Sequence, residues 1–128
     1  RRGLLKYLAE AVSLLPKIIT PEILDIGCGT GVPTIWFAKN YGGIITAIDT
    51  DERALEWLNA KIIDKKLENQ ITTINLSFFE LKTEPGYFDI ILAEGFLNII
   101  GFEQGFVKVI RMIRSGGYFV IHDEYKDH

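Results

Sequence analysis

Three glycines at alternate positions, Gly27, Gly29 and Gly31, directly follow the apolar run "EILDI". A loop between a strand and a helix can bring backbone N–H groups and the positive helix end against a ligand only where no side chain intervenes. A tight turn by itself needs one or two glycines, not three in alternation. Dinucleotide-binding loops follow G-x-G-x-x-G, in which the third glycine lets the helix pack beneath a pyrophosphate. Here the third glycine comes one residue early, and Val32 stands where that pattern requires glycine. Asp25 lies inside the apolar run, two residues before the first glycine. A carboxylate there repels a pyrophosphate and attracts an ammonium or a sulfonium. The loop therefore suits a ligand with positive charge, and an NAD-dependent dehydrogenase is disfavoured.

Other residues with chemical potential sit where further strands end. Asp49, in "AIDTDE", follows Gly31 by eighteen residues and can accept both hydroxyls of a ribose. Its competing role is to cap the helix that starts near Asp51, a task Thr50 or Asp51 could also perform. Glu94 ends a fourth apolar run, as a contact to cofactor or substrate or as a solvated loop acid. His122 and Asp123 end a fifth; a histidine there can act as a general base or be structural or solvated. One cysteine and two separated histidines offer no metal-ligand spacing, so no metal site is expected. Cys28 lies within the glycine loop, and no histidine near it in sequence could activate it as a nucleophile.

The elements that must position these residues alternate along the chain. Leu4, Leu5, Leu8, Val12 and Leu15 share a helical face over about 3–15, which Pro16 ends. "EILDIG" reads as a buried strand and residues 32–40 as a helix with Pro33 in its first turn. "GIITAID" is a second strand, covered on both sides. A helix is expected over 51–68, with Ala54, Leu55, Leu58 and Ile62 on its apolar stripe. "ITTINLS" and "FDIILAE" are the third and fourth strands. Phe102, Phe106, Val109, Ile110 and Ile113 form another helical stripe, stopped by "SGG" before the fifth strand "YFVIHD". Doubly apolar strands alternating with helices predict a doubly wound α/β domain, a mostly parallel sheet with helices on both faces. Ligands then bind beyond the carboxyl ends of the strands.

The 128 residues, 48% hydrophobic, suffice for a single domain over 1–128 and are too few for two. A net charge of −3 with scattered basic residues argues against a nucleic-acid partner. Apolar stretches fall short of the ~20 residues of a membrane span, so no membrane partner is expected. The lone cysteine suits a reducing, cytoplasmic setting. The start at Arg1 and the ending "DEYKDH" suggest a chain trimmed from a longer protein.

"LDIGCGTG" is similar to the glycine-rich motif of the class I S-adenosylmethionine-dependent methyltransferases, and the likeness runs from about residue 20 to 123. The resemblance implies a Rossmann-like fold, here lacking the family's final strands, with S-adenosylmethionine as cofactor and S-adenosylhomocysteine as product. It implies that Gly27, Cys28, Gly29 and Gly31 line the cofactor, that Asp25 meets its amino group through water, and that Asp49, with Thr50, holds the ribose. After the third strand the family places an acid for the adenine amine. Aligning Leu81 with the family's leucine puts Phe79 there and Glu80 one residue off, so Glu80 or the backbone N–H groups of Phe78 and Phe79 would serve. One of the two phenylalanines is expected in the core. Glu94 with Gly95, and the later I-G-F-E segment, resemble a small-molecule subgroup, and "IRSGGYF" matches the family's R-P-G-G turn with Ser115 in place of proline. The expected function is methyl transfer to a small-molecule acceptor, with Glu94 or His122 as the base where a proton must leave. The alternative is a non-catalytic S-adenosylmethionine-binding module. A fifth strand left as a bare edge would favour a homo-oligomer.

Overall fold

The computed structural model describes residues 2–94 and 102–122, with side chains over 6–93 and 103–121. Helix α1 (Arg2–Ser13) precedes strand β1 (Glu22–Ile26), helix α2 (Val32–Asn40), strand β2 (Ile44–Asp49), helix α3 (Glu52–Asp64) and strand β3 (Ile71–Asn75). A 3-10 turn (Phe78–Glu80) leads to strand β4 (Phe88–Glu94), helix α4 (Phe102–Met112) and strand β5 (Ile113–His122).

The five strands form one sheet in the order β3-β2-β1-β4-β5, and every neighbouring pair is parallel. From β1 the chain moves outward through β2 to β3, then returns to the other side of β1 for β4 and β5. The order therefore reverses between β1 and β4, and the carboxyl ends of all strands share one edge, where ligands bind in sheets of this kind.

Alternation along β1 divides the core. Ile23 points to one face, with Phe37 of α2 and Leu58 and Ile62 of α3, and Val12 and Leu15 pack against the same cluster. Leu24 and Ile26 point to the other, with Phe78, Phe88, Val109 and Met112. Burial on both faces explains why the central strands read as continuous apolar runs. At the amino edge of the sheet, Asp89 accepts the Glu22 N–H at 2.8 Å and pairs with Arg114, which joins β1, β4 and β5 away from the ligand edge.

Helix α1 stops at Ser13, short of Pro16, and three further boundaries differ from the sequence reading, each for a local reason. Helix α3 ends at Asp64 because Lys66 adopts φ 58°, and the Lys66 and Leu67 N–H groups turn back to the carbonyls of Ile63 and Ile62. This is a Schellman closure with lysine in the usual glycine position, and it buries Leu67. Strand β3 stops at Asn75, since Ser77 caps the 3-10 turn through the Phe79 N–H at 3.2 Å. Ile113 opens β5 instead of closing the helix, and the register with β4 jumps from Phe88↔Ile113 to Ile90↔Tyr118. The residues of "RSGG" bulge out between those pairs. Gly117 is required there, because a Cβ would stand 2.6 Å from the Asp89 carbonyl oxygen. The shortened α4 buries Val109 and Met112 and leaves the expected core residue Ile110 54% exposed.

Candidate functional site

The loop after β1 is held in place from β2. Gly27, Gly29 and Gly31 have φ of 71°, 55° and 86°, a region that side-chain-bearing residues avoid. The Gly27 and Cys28 N–H groups both donate to the Ile48 carbonyl, at 2.9 and 3.1 Å. One residue on, the Gly29 N–H donates to Asp49 Oδ2 at 2.7 Å, and Asp49 Oδ1 accepts the Asp51 N–H at 2.9 Å. The capping role falls to Asp51, whose carboxylate accepts the Ala54 N–H at 3.1 Å. Asp49 is thus a strap between loop and strand, not a helix cap.

Gly29 and Gly31 are bare for different reasons. A Cβ on Gly29 would meet open space, as expected where a ligand approaches. A Cβ on Gly31 would stand 2.2 Å from Leu58 Cδ1, so its bareness lets α3 close against the loop. The space beside Gly29 is open at its side-chain position, whereas the bareness of Gly31 also serves the packing of Leu58.

Asp25 and Cys28 lie beneath the loop. Asp25 is 3% exposed, and its carboxylate accepts the Thr34 hydroxyl at 2.5 Å from the first turn of α2. The Cys28 thiol packs in the core, and burial, followed by the negative charges of Asp25 and Asp49, pushes its pKa far above the ordinary value. A thiol so held does not act as a nucleophile.

A cleft of about 270 Å³ opens at the carboxyl ends of β1 to β3, close to the smaller ligand sites of about 300 Å³. Ile26, Gly27 and Ile48 form its floor, Asp49 and Thr50 give polar groups, and Leu76, Ser77 and Phe78 form a wall. The residues fit the cofactor that the glycine loop calls for. The carboxylate of Asp49, half-buried at the cleft, uses two of its roughly four acceptor positions on Gly29 and Asp51 and keeps the others for hydroxyls.

Of the residues expected from sequence, Gly27, Asp49 and Thr50 line this cleft, and Gly29 joins them through Asp49. Phe79 and Glu80 are exposed, and Phe79 faces a separate groove behind the 3-10 turn; buried Phe78 faces the cleft. Sequence reasoning did not single out Ser77 or Leu76. The signal for Ser77 was its place as a capping residue immediately before an aromatic pair. Glu94 and His122 are register partners at the ends of β4 and β5, so the two candidate bases share one edge position of the sheet. Gly95, the I-G-F-E segment before Phe102 and Asp123 lie outside the described residues.

Comparison with known proteins agrees with the glycine loop. The family described as "Methyltransferase domain" matches residues 23–117. The chain is 29% identical over 119 residues to a ribosomal protein L11 methyltransferase of Pelobacter propionicus, covering 91% of this chain and 36% of that protein. It is 26% identical over 117 residues to a sarcosine/dimethylglycine N-methyltransferase of Halorhodospira halochloris, covering 89% and 42%. In fold it matches a geranyl diphosphate methyltransferase solved in complex with S-adenosylmethionine, with a TM-score of 0.77 at 18% identity, covering 89% of this chain and 48% of that one. The chain thus spans less than half the length of each of these relatives. The chain belongs to the class I S-adenosylmethionine-dependent methyltransferases, the family whose cofactor is S-adenosylmethionine.

Proposed function

We propose that this chain holds S-adenosylmethionine across the carboxyl ends of β1 and β2 and directs its methyl group to a small-molecule acceptor near the ends of β4 and β5. The observation that carries this reading is the Asp49 strap: one carboxylate both shapes the glycine loop and faces the cleft. Burial first, and then the charges of Asp25 and Asp49, disfavour a thiolate at Cys28; the same two carboxylates favour a sulfonium.

When bound, S-adenosylmethionine supplies a methyl group on a sulfonium, whose departure leaves a neutral thioether. The residues of the chain then have a positioning task. Asp49 orients the ribose, Gly27 and Gly29 admit the methionine part close to the backbone, and Phe78 with Leu76 covers the adenosine side. Holding donor and acceptor in line contributes roughly 7–11 kcal/mol without a dedicated catalytic group. Glu94 or His122 takes the proton where the acceptor must lose one. The similar proteins named above act on a ribosomal protein, on sarcosine or dimethylglycine and on geranyl diphosphate. Acceptor choice therefore varies across relatives that share this half, and the acidic net charge of −3 supports a small molecule over a nucleic acid. Strands β3 and β5 are the two sheet edges among the described residues, and we assign self-association to β5. No helix among the described residues is long and apolar enough to cross a membrane.

Calorimetric titration with S-adenosylmethionine, S-adenosylhomocysteine and NAD, side by side, tests the reading. Micromolar binding of the first two and none of NAD is expected; NAD binding alone refutes it.

A further inference from the structure

Behind the 3-10 turn, on the side away from the cofactor cleft, a groove of about 440 Å³ runs between the β3–β4 connection and α4. Phe79, Leu81 and Val107 make part of its wall apolar, and Lys82, Lys108 and Arg111 add three cations. None of its lining residues is acidic, and among the described residues none of the three cations is ion-paired. Half-buried Lys108 donates to the Phe78 carbonyl at 2.6 Å and lies 5.0 Å from the Phe78 ring centre. Its pKa is pushed below the usual lysine range, first by burial and then by Arg111 and Lys82, so the charges are close enough to repel. Like charges gathered without a counter-charge are unfavourable, and a chain with net charge −3 has no surplus of base to explain the cluster.

We propose that this groove binds a small organic anion, with a carboxylate or phosphate head on Lys82, Lys108 and Arg111 and an apolar body on Phe79, Leu81 and Val107. The guanidinium of Arg111 offers the paired donors that such heads accept, and the half-exposed Phe79 ring offers a flat apolar surface. The head is attracted by all three cations, while the body replaces water on the exposed Phe79 and Val107 side chains, beside the buried Leu81. The site shares no lining residue with the cofactor cleft.

Calorimetric titration of the protein with phenyl phosphate, benzoate and inorganic phosphate tests this, since the three separate head type from apolar body. We expect saturable one-to-one binding of at least one aryl anion, tighter than inorganic phosphate and weakened by salt. The double change K82E/R111E, on two exposed side chains, is expected to lower that affinity by about tenfold or more. Lys108→Gln is expected to lower it in the same direction, with S-adenosylmethionine affinity and the circular dichroism spectrum unchanged in the K82E/R111E protein. Absence of aryl-anion binding, equal binding of inorganic phosphate, unchanged affinity in both variants, or competition with S-adenosylmethionine would each overturn the proposal.

Discussion

The Asp49 carboxylate and the Gly29 N–H meet at 2.7 Å, so the acid that faces the cleft also fixes the loop that borders it. An acid in this position acts twice. It fills the donor of a glycine whose side is open to a ligand, and it presents its remaining lone pairs to that ligand. Charge-assisted hydrogen bonds of this kind contribute roughly 1.5–3 kcal/mol each. Asp49→Ala is therefore expected to weaken S-adenosylmethionine binding by about ten- to a hundredfold. Asp49→Asn, which retains one acceptor oxygen, should fall between. Calorimetry on the three proteins is the check, and equal affinities would remove Asp49 from the site.

The glycines at 29 and 31 are expected to fail differently when each is changed to alanine. Gly31→Ala combines positive φ with a clash on Leu58, together about 2–5 kcal/mol of lost stability. Gly29→Ala meets nothing in the folded chain, so it costs only the backbone term of about 1–2 kcal/mol. Its methyl group, however, projects into the space left for the cofactor, and affinity should fall. The clash at 31 also makes a coupling prediction: Leu58→Ala added to Gly31→Ala should cost less than the sum of the two changes. Urea unfolding of the set, with additive losses for that pair, would rule out the Leu58 explanation.

Thr34 and Asp25 form a buried pair at 2.5 Å beneath the loop. Thr34→Val keeps the shape and removes the hydroxyl, taking one of its hydrogen bonds from a carboxylate that is 3% exposed. The expected loss is about 1.5–3 kcal/mol in urea unfolding. Thr34→Ser keeps the hydroxyl and should lose less. If valine and serine proteins unfold alike, the hydroxyl does not support Asp25.

How much of this was legible in the sequence follows from what each residue's neighbours are. Strands β1, β2 and β4 are apolar on both faces because helices or the 3-10 turn cover each face, and such runs read plainly. The loop could be recognised because its function depends on residue type along the chain: glycine spacing, Asp25, Asp49. What could not be read depends on contacts between distant residues. Gly31 is explained by Leu58 in α3, and Asp25 is covered by Thr34 in α2. Ile110 fits the helical stripe, yet α4 ends at Met112 and rotates Val109 and Met112 inward, because β5 begins at once through a bulge. Phe78 and Phe79 are alike in sequence; Ser77, by capping the 3-10 turn, sends one to the cleft and the core and the other to the opposite groove. The scattering of basic residues along the sequence likewise hid the meeting of Lys82, Lys108 and Arg111.

Cys28 supplies a prediction about alkaline pH. Its thiol is 4% exposed, and burial, then Asp25 and Asp49, raise its pKa in the fold. In the unfolded chain it ionises near pH 8.5. Above that pH the unfolded state holds fewer protons than the native state, so stability falls as pH rises. Below it both states keep the proton and the contribution is fully present. For one group the slope approaches about 1.4 kcal/mol per pH unit. Tyr41, also raised by burial, adds a loss in the same direction at higher pH, near and above about 10. Comparison with Cys28→Ala separates the two, since that protein retains Tyr41. Urea unfolding at pH 7.5, 9 and about 9.5 should show the native protein losing stability faster than Cys28→Ala across this window. The same burial predicts that a thiol reagent labels Cys28 slowly in buffer and quickly in urea, at the rate of a free thiol. Parallel pH curves for the two proteins, or rapid labelling without denaturant, would place the thiol at the surface of the loop instead of beneath it.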